Sequence, residues 1–258
     1  MSLPASGAIS MNNVNTELSL TPTAAISLND SGVRGLFGVA SGVISLSDGY
    51  GKSAGPPVAG YIGWYDYSSY NPVNGVWTDK SGNGNNATAA VSVSQVSVTG
   101  NGSSKTFNAL RCNYNGGNYG TITWPTNIVP STYTLFHVCR YTGVSNNRIV
   151  QGIGQNWLSG FWANNVNAFY HNGWVAYPAA GTNNNWRYTT DQNNLARQNG
   201  TTLGTSGAGS PSYAQIAINN SGYESSECDI VELIVYNSTL NSTQYAAVES
   251  YLVSKYGL

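Results

Sequence analysis

The sequence predicts an all-β sandwich of the jelly-roll type, preceded by an N-terminal segment of different composition and closed by one helix. Apolar residues alternate with hydroxyl residues at a period of two, as in strands with one buried and one hydrated face. Asn-Gly and Gly-Asn pairs recur between these stretches and are typical of tight turns. The length of 258 residues suits one large β domain with an appendage.

The N-terminal element, residues 1–58, contains no Trp and only one Tyr and one Phe. It carries three copies of a short repeat, small residues followed by Ile-Ser-Met or Ile-Ser-Leu, at residues 6–11, 23–28 and 41–46. With so few large side chains we expect no separate core, so each copy is interpreted as a short strand or an extended docking piece that packs on a partner. A loosely ordered arm with chance similarity is the alternative.

The linker is predicted around Pro56-Pro57, because paired prolines favour extended geometry and the flanking glycines loosen it. This divides the chain into residues 1–58 and 59–258. In the second part, residues 91–98, 133–141 and 229–236 have the alternation and β-branched content of strands. Residues 241–256 instead space their apolar side chains at helical intervals, between a candidate N-cap at Asn241 or Ser242 and a stop at Gly257.

Composition excludes several classes of function. Only 8% of residues are charged, and the ten basic residues are spread along a chain of net charge −1, so we expect no nucleic acid binding. No apolar run is long enough to insert in a membrane, and the N-terminus lacks the features of a signal peptide. The odd number and wide spacing of Cys112, Cys139 and Cys228 predict buried thiols rather than disulfides or a zinc site.

Two motifs bracket residues 61–258. Trp64-Tyr-Asp66, followed by Trp77-Thr-Asp-Lys-Ser-Gly-Asn-Gly-Asn-Asn-Ala-Thr88, resembles the opening of laminin G-like, concanavalin A-like jelly-roll domains. The strand at 229–236 and the helix ending Tyr-Leu-Val-Ser-Lys-Tyr-Gly-Leu258 resemble the close of the same domains. The resemblance implies a concanavalin A-like sandwich of a carbohydrate-binding class.

The segment Leu3-Pro-Ala-Ser-Gly-Ala-Ile-Ser10 resembles the opening of bacteriophage virion proteins, in particular cyanophage and marine-phage tail and fibre proteins. This implies a virion structural protein, such as a tail fibre, spike or decoration protein, assembled in the host cytoplasm. Residues 1–58 would attach to other virion proteins, and the sandwich would adhere to host surface polysaccharide. Analogy with fibres implies a homo-oligomer, a trimer in the usual case. A purely architectural component without a ligand is an alternative.

The candidate carbohydrate-binding surface lies where aromatic and amide residues are densest. Sugars are bound by amide and hydroxyl hydrogen bonds and by aromatic faces stacked on their C–H surfaces. The candidates are Trp157, Trp162, Asn164, Asn165, Tyr170, Trp174 and Trp186. For each of them the alternative is a structural position, since Trp usually faces the core of a sandwich and Asn usually marks a turn.

Oxygen-bearing side chains near the start of the sandwich suit a calcium ion, with Asp66, Asp79, Asn83 and Asn85 as candidate ligands. A turn in which Asp79 and its neighbours bond their own backbone is the simpler interpretation. We therefore expect no metal and no other cofactor.

The order Glu227-Cys-Asp-Ile-Val-Glu232 resembles the catalytic strand of family 16 glycoside hydrolases, which share the sandwich fold. In that interpretation Glu227 is the nucleophile, Glu232 the acid/base and Asp229 lies between them, with the two glutamates about 5 to 5.5 Å apart. Strict period two places Glu232 on the opposite face, so this requires a β-bulge. We expect no enzyme, with a glycan depolymerase as the alternative. His137, within a predicted strand, is expected to be a partly buried structural residue.

Overall fold

The computed structural model describes residues 3–4, 6–18, 20–52, 54–90, 92–180, 184–205, 215–219 and 224–258. The chain folds as two compact units, Met1–Ala59 and Gly60–Leu258. Within the described ranges, no helix is long and apolar enough to cross a membrane.

The N-terminal unit contains the helices α1 (Met11–Glu17) and α2 (Ser31–Phe37) and a 3-10 turn at Leu46–Gly49. Its apolar side chains pack on one another, and the buried members of this cluster are Leu3, Ile9, Val14, Val33, Leu36 and Phe37. The expectation of an extended segment without a core is therefore wrong for the described part of residues 1–58. Turns bring many medium-sized aliphatic side chains together, and these form a core without the aromatic residues that the prediction required.

The three copies of the repeat begin turns rather than strands. In each copy the backbone N–H of the serine donates to the side-chain oxygen of an Asn or Asp three residues later. The pairs are Ser10 with Asn13 at 2.9 Å, Ser27 with Asp30 at 2.9 Å and Ser45 with Asp48 at 2.7 Å. The isoleucine before each serine packs in or against the apolar cluster. The repeat is thus a capping signal that starts a turn and places one apolar side chain in the core.

The larger unit is built of strands. The first ten are β1 (Tyr61–Asp66), β2 (Tyr70–Asn71), β3 (Val76–Trp77), β4 (Ala87–Ala89), β5 (Val93–Thr99), β6 (Thr106–Cys112), β7 (Tyr114–Asn115), β8 (Asn118–Tyr119), β9 (Ile122–Thr123) and β10 (Thr134–Tyr141). The others are β11 (Val150–Gly152), β12 (Trp157–Trp162), β13 (Asn165–His171), β14 (Trp174–Ala176), β15 (Ala179–Ala180), β16 (Arg187–Gln192), β17 (Leu195–Gln198), β18 (Thr201–Gly204), β19 (Ile216–Ile218) and β20 (Cys228–Tyr236).

Among the described residues, eighteen of these strands form two large antiparallel sheets, and β7 and β8 pair with each other. The eight-stranded sheet has the order β18-β17-β16-β10-β20-β6-β5, with β1 also pairing β20. The ten-stranded sheet has the order β14-β13-β12-β11-β19-β9-β4-β3-β2, with β15 pairing β13. The strand predicted at 91–98 corresponds to β5. The first residue of the predicted range, Val91, lies outside the described residues. The predicted all-β sandwich is confirmed.

The closing helix, α3 (Ser242–Tyr256), begins and ends at the predicted residues. The Asn241 side chain accepts the backbone N–H of Gln244 at 3.0 Å, which caps the first turn. Gly257 adopts φ 65°, a left-handed conformation that glycine takes without strain and that stops the helix.

Between the sheets lies a core rich in aromatic rings. Tyr65, Trp77 and Trp124 are buried in mutual contact, with ring centroids 5.8 to 6.0 Å apart. The three cysteines, at 112, 139 and 228, lie in the same core as free, buried thiols, as predicted. Burial raises the pKa of the Cys139 thiol, so it stays protonated and behaves as a small apolar side chain.

A polar cluster also lies in this core. His137 on β10 is fully buried rather than partly buried, and its Nε2 is 3.1 Å from the Ser159 hydroxyl on β12. Burial lowers the pKa of His137 to about 4, although the charge of Asp191 acts in the opposite direction. A histidine held neutral in the folded state binds a proton more readily once the chain unfolds.

We expect this histidine to make the sandwich less stable between pH 6.5 and 4. Because the pKa of His137 is depressed on folding, its unfavourable effect is absent above pH about 6.5 and grows as the pH falls towards 4, reaching about 3 kcal/mol. Urea unfolding of wild type and His137→Gln across this range measures it. The wild type should lose stability faster than the variant; parallel curves would contradict the assignment.

Candidate functional site

Aromatic side chains form a continuous group at one edge of the ten-stranded sheet. Trp162 ends β12, Tyr170 lies in β13, Trp174 begins β14 and Tyr177 follows it. The ring centroid of Trp174 is 5.4 Å from that of Trp162, 5.1 Å from that of Tyr170 and 5.3 Å from that of Tyr177. We call these four residues the aromatic platform.

The alternation of the strands places the platform on the outer face of the sheet. Phe161 and Phe169, each next in sequence to a platform residue, are fully buried between the sheets. Their neighbours Trp162 and Tyr170 therefore point the other way and are half-buried. Tyr177 is 75% exposed and stacks on Trp174 with an interplanar angle of 25°. Flat ring faces at a surface are what an apolar sugar face requires.

The two predicted asparagines lie beside the platform. Ala163 and Asn164 both have positive φ, 49° and 64°, and make the tight turn between β12 and β13. Asn is among the few residues that accept this conformation readily, and the Asn164 side chain is exposed at the turn. Asn165 lies directly opposite Trp162 in the sheet, and its amide donates to the Ala163 carbonyl at 2.8 Å.

Trp162 is held in place by a polar contact at its edge. Its indole N–H donates to the Glu224 carboxylate at 3.0 Å, and Glu224 forms an ion pair with Arg148. A ring fixed in this way loses little conformational freedom when a ligand binds, which favours affinity.

Two predicted binding residues are structural instead. Trp157 is 1% exposed and stacks on His171 at 5.6 Å within the core. Trp186 is fully buried, and its indole N–H donates to the Thr99 carbonyl at 3.0 Å. The structure thus brings together Trp162, Asn164, Asn165, Tyr170 and Trp174, whereas Trp157 and Trp186 lie apart from them. Sequence reasoning missed Tyr177, although its spacing of three from Trp174 and the following Pro178 indicate a turn that exposes it.

The calcium candidates are occupied by other partners. One Asp79 oxygen accepts the backbone N–H groups of Trp64 and Ser81, at 3.0 and 2.8 Å. The other accepts the Asn85 N–H at 3.0 Å and the Ser81 hydroxyl at 2.7 Å. Asn83 donates its amide to the Ile62 carbonyl at 3.2 Å. Asp79 therefore organises a turn, as in the simpler interpretation.

Asp66, the remaining candidate, lies between two lysines. Its carboxylate is 2.9 Å from the Lys80 ammonium and 3.2 Å from that of Lys255. Burial alone would raise the pKa of Asp66, but the charges of Lys255 and Lys80 and a hydrogen bond from Ser68 hold it well below its usual range. Across the described ranges, no group of three or more acidic, His or Cys side chains is placed to hold a metal ion.

The alternative catalytic residues also serve the fold. A β-bulge at Val231 does exist, because Val138 pairs Glu232 and Cys139 pairs Ile230. Asp229 and Glu232 therefore share one face of β20. Asp229, however, is fully buried between Arg111 at 2.7 Å and Arg140 at 2.8 Å.

Glu232 and Glu227 are likewise engaged in the fold. Glu232 is fully buried beneath α3, where Lys255 at 2.9 Å and the Tyr251 hydroxyl at 2.9 Å donate to it. The Glu227 carboxylate accepts the Val144 backbone N–H at 3.0 Å. A fully buried acid paired with an ammonium cannot reach a glycosidic oxygen, so the Glu227/Glu232 assignment is not supported.

Comparisons with known proteins agree with the fold. No family model matches the sequence, and no curated protein is similar to it in sequence. The Trypanosoma rangeli sialidase in complex with sialic acid has a TM-score of 0.55 at 16% identity, over 83% of this chain and 36% of that one. The chain thus spans about a third of the length of such sialidases.

Two shorter structures are also similar. Domain 4 of AbnA, a GH43 extracellular arabinanase from Geobacillus stearothermophilus in complex with arabinotriose, has a TM-score of 0.53 at 15% identity, over 74% of this chain and 98% of that one. The binding domain of Paraclostridial Mosquitocidal Protein 1 has a TM-score of 0.50 at 14% identity, over 74% and 52%. The shared feature is the β-sandwich fold.

Proposed function

We propose that the unit Gly60–Leu258 is a glycan-binding module whose ligand stacks on the aromatic platform. The observation that carries the proposal is the Trp174 and Tyr177 pair, two nearly parallel rings of which Tyr177 is 75% exposed. An exposed aromatic group beside polar amides is the arrangement that sugars require, since their rings have one apolar face and a rim of hydroxyls.

The comparisons support this proposal through what the similar structures contain. One is a domain in complex with arabinotriose, one is named a binding domain, and one is a sialidase with sialic acid. A fold hosts many functions, so the platform, rather than the fold, carries the proposal.

The attachment of residues 1–58 to other virion proteins, and with it the role as a phage fibre, spike or decoration protein, remains a proposal from the resemblance of its first residues. If the unit is displayed in several copies, weak binding at each platform would add up through avidity. The trimer, and display on host polysaccharide, rest on the same analogy.

The platform is tested by removing one ring at a time. We expect Trp174→Ala and Tyr177→Ala each to weaken glycan binding about tenfold or more, because central aromatic contacts carry much of the energy of an interface. A glycan array of the full chain identifies the ligand, and calorimetric titration measures the affinity. Tyr177→Phe is the matched control: it keeps the ring and should bind like the wild type. Unchanged affinity of both alanine variants would contradict the proposal.

A further inference from the structure

A polar cavity of about 330 Å³ lies in the same unit as the platform. The residues that line it and carry the argument are Asn118, Tyr119, Thr121, Asn147, Asn219 and Ser225. All six side chains are uncharged amides or hydroxyls. Amides and hydroxyls are the groups that bond sugar hydroxyls, so the lining matches one residue of a neutral glycan.

The pairing of the strands places the cavity at the same end of the ten-stranded sheet as Trp162. Ile218 on β19 pairs both Ile122 on β9 and Val150 on β11, and Val150 pairs Ser159 on β12. One row of residues therefore runs across this end of the sheet. It contains the residues just before β9 and β11, those just after β19 and those at the end of β12. Neighbouring strands are about 4.8 Å apart, so the row from β9 to β12 spans about 14 Å.

An ion pair joins the cavity to the platform. Glu224 accepts the indole N–H of Trp162 and pairs with Arg148, and the backbone N–H of Arg148 donates to the Glu224 carbonyl at 3.3 Å. Asn147 and Ser225, which line the cavity, are the chain neighbours of these two charged residues. Among the described residues that connect the cavity to the platform, Arg148 and Glu224 neutralise each other and favour neither an anionic nor a cationic ligand.

The walls of the cavity are held in place before any ligand arrives. The Asn219 amide donates to the carbonyls of Gly120 and Ser226, at 2.9 and 2.8 Å. The Asn147 amide donates to the Ser225 carbonyl at 3.1 Å. Asn118 is exposed and Thr121 is half-buried at the cavity, where their polar groups can meet a ligand. Pre-organised polar walls reduce the cost of binding.

We propose that the platform and the cavity form one continuous surface for a neutral glycan chain, with one sugar residue stacked on the platform and another held in the cavity. This rests on the proposed function, since it assigns the class of ligand to the same site. On this proposal, affinity depends first on the number of sugar residues in the glycan, and less on the identity of any single sugar.

The test measures affinity against chain length. The probes are unbranched neutral malto-, cello-, xylo- and arabino-oligosaccharides of one to six residues, titrated into the full chain. For the series that binds, we expect the affinity to rise at least tenfold from one residue to six. The double variant Asn118→Ala/Thr121→Val should lose about tenfold for the hexasaccharide while binding the monosaccharide as the wild type does. Asn115→Ala, on the same hairpin but outside the cavity lining, is the matched control.

The outcomes separate the two proposals. Tyr177→Ala should weaken binding at every chain length, because the platform holds one residue of each ligand. Equal affinity for one and six residues, or a double variant that binds the hexasaccharide like the wild type, would overturn the inference alone. Tighter binding of oligogalacturonates than of neutral chains of equal length would overturn the ligand class. A wild type that binds no glycan at all would overturn the proposed function and the inference with it.

Discussion

Lys255→Met is expected to lower the free energy of unfolding of the sandwich by about 3–5 kcal/mol, the cost typical of removing one partner from a buried ion pair. The Lys255 ammonium lies beneath α3, 2.9 Å from the Glu232 carboxylate and 3.2 Å from that of Asp66. Glu232 is fully buried and Asp66 is 2% exposed. Without the lysine, a carboxylate deep in the protein faces no cation.

The partners around this lysine explain why the effect should be large. Burial alone would lower the pKa of Lys255, but the Glu232 charge, the hydroxyls of Tyr251 and Tyr256 and the Asp66 charge hold it well above its usual value. Glu232 also accepts the Trp64 indole N–H at 2.8 Å, so the cluster ties β1, β20 and α3 together. A hydrogen-bonded charge cluster of this kind stabilises only when complete.

Lys80→Met is the matched control. Lys80 is also 2.9 Å from Asp66 but is 26% exposed, so water compensates for much of the loss and we expect no more than about 1 kcal/mol. Urea unfolding followed by Trp fluorescence gives both values. Adding Glu232→Met to Lys255→Met removes the orphaned charge and should recover part of the stability. Equal stability of the Lys255→Met and Lys80→Met variants would contradict the assignment.

The same cluster defines a pH window. The pKa of Asp66 is depressed on folding, so its contribution is present above pH about 4 and is lost as the pH falls further. The pKa of Lys255 is raised, so its contribution is present below pH about 10 and is lost as the pH rises further. The difference between wild type and Lys255→Met should therefore be largest between these limits.

Local patterns made the sandwich and its closing helix predictable. Alternation at period two identifies strands such as β5 and β10, β-branched content identifies β20, and the Asn241 cap and Gly257 stop define α3, because these signals are carried by neighbouring residues. The bulge at Val231 breaks the alternation and brings Asp229 and Glu232 to one face, which no local pattern in β20 indicates.

The candidate site was predictable only in part, for a physical reason. Trp157 and Trp162 lie in one strand an odd number of residues apart, so period two places them on opposite faces. Which face is buried depends on the second sheet, and the residues between them place one large apolar side chain on each face, Leu158 on one and Phe161 on the other. Composition could therefore locate the aromatic surface near β12 and β13, but it could not show that Trp162 lies on the outer face of the sheet and Trp157 in the core.

The N-terminal unit was misjudged because its signal is polar rather than apolar. The Ile-Ser-Met or Ile-Ser-Leu repeat continues to an Asn or Asp three residues after each serine, which is the pattern of a capped turn. A prediction from the number of large side chains misses this core, because the cluster consists mainly of Leu, Ile and Val around Phe37.

Phe37→Ala is accordingly expected to remove a large part of the stability of the unit Met1–Ala59. Phe37 is 2% exposed in the cluster, and a Cβ added at Gly49 would lie only 2.7 Å from its ring, so the ring is closely packed. Truncating such a ring costs about 3–5 kcal/mol. A unit of this size has a total stability of about 3–9 kcal/mol, so the substitution removes from about a third to all of it.

Hydrogen exchange on the full chain measures this loss residue by residue. The amides of α1 and α2 should lose protection in Phe37→Ala, whereas those of β20, which belongs to the other core, should keep it. Val43→Ala, at a side chain that is 96% exposed, removes apolar atoms from the surface rather than from the cluster and should leave both units protected. If α2 kept its protection without the Phe37 ring, residues 1–59 would owe their order to something other than the cluster, and the docking-segment interpretation would return.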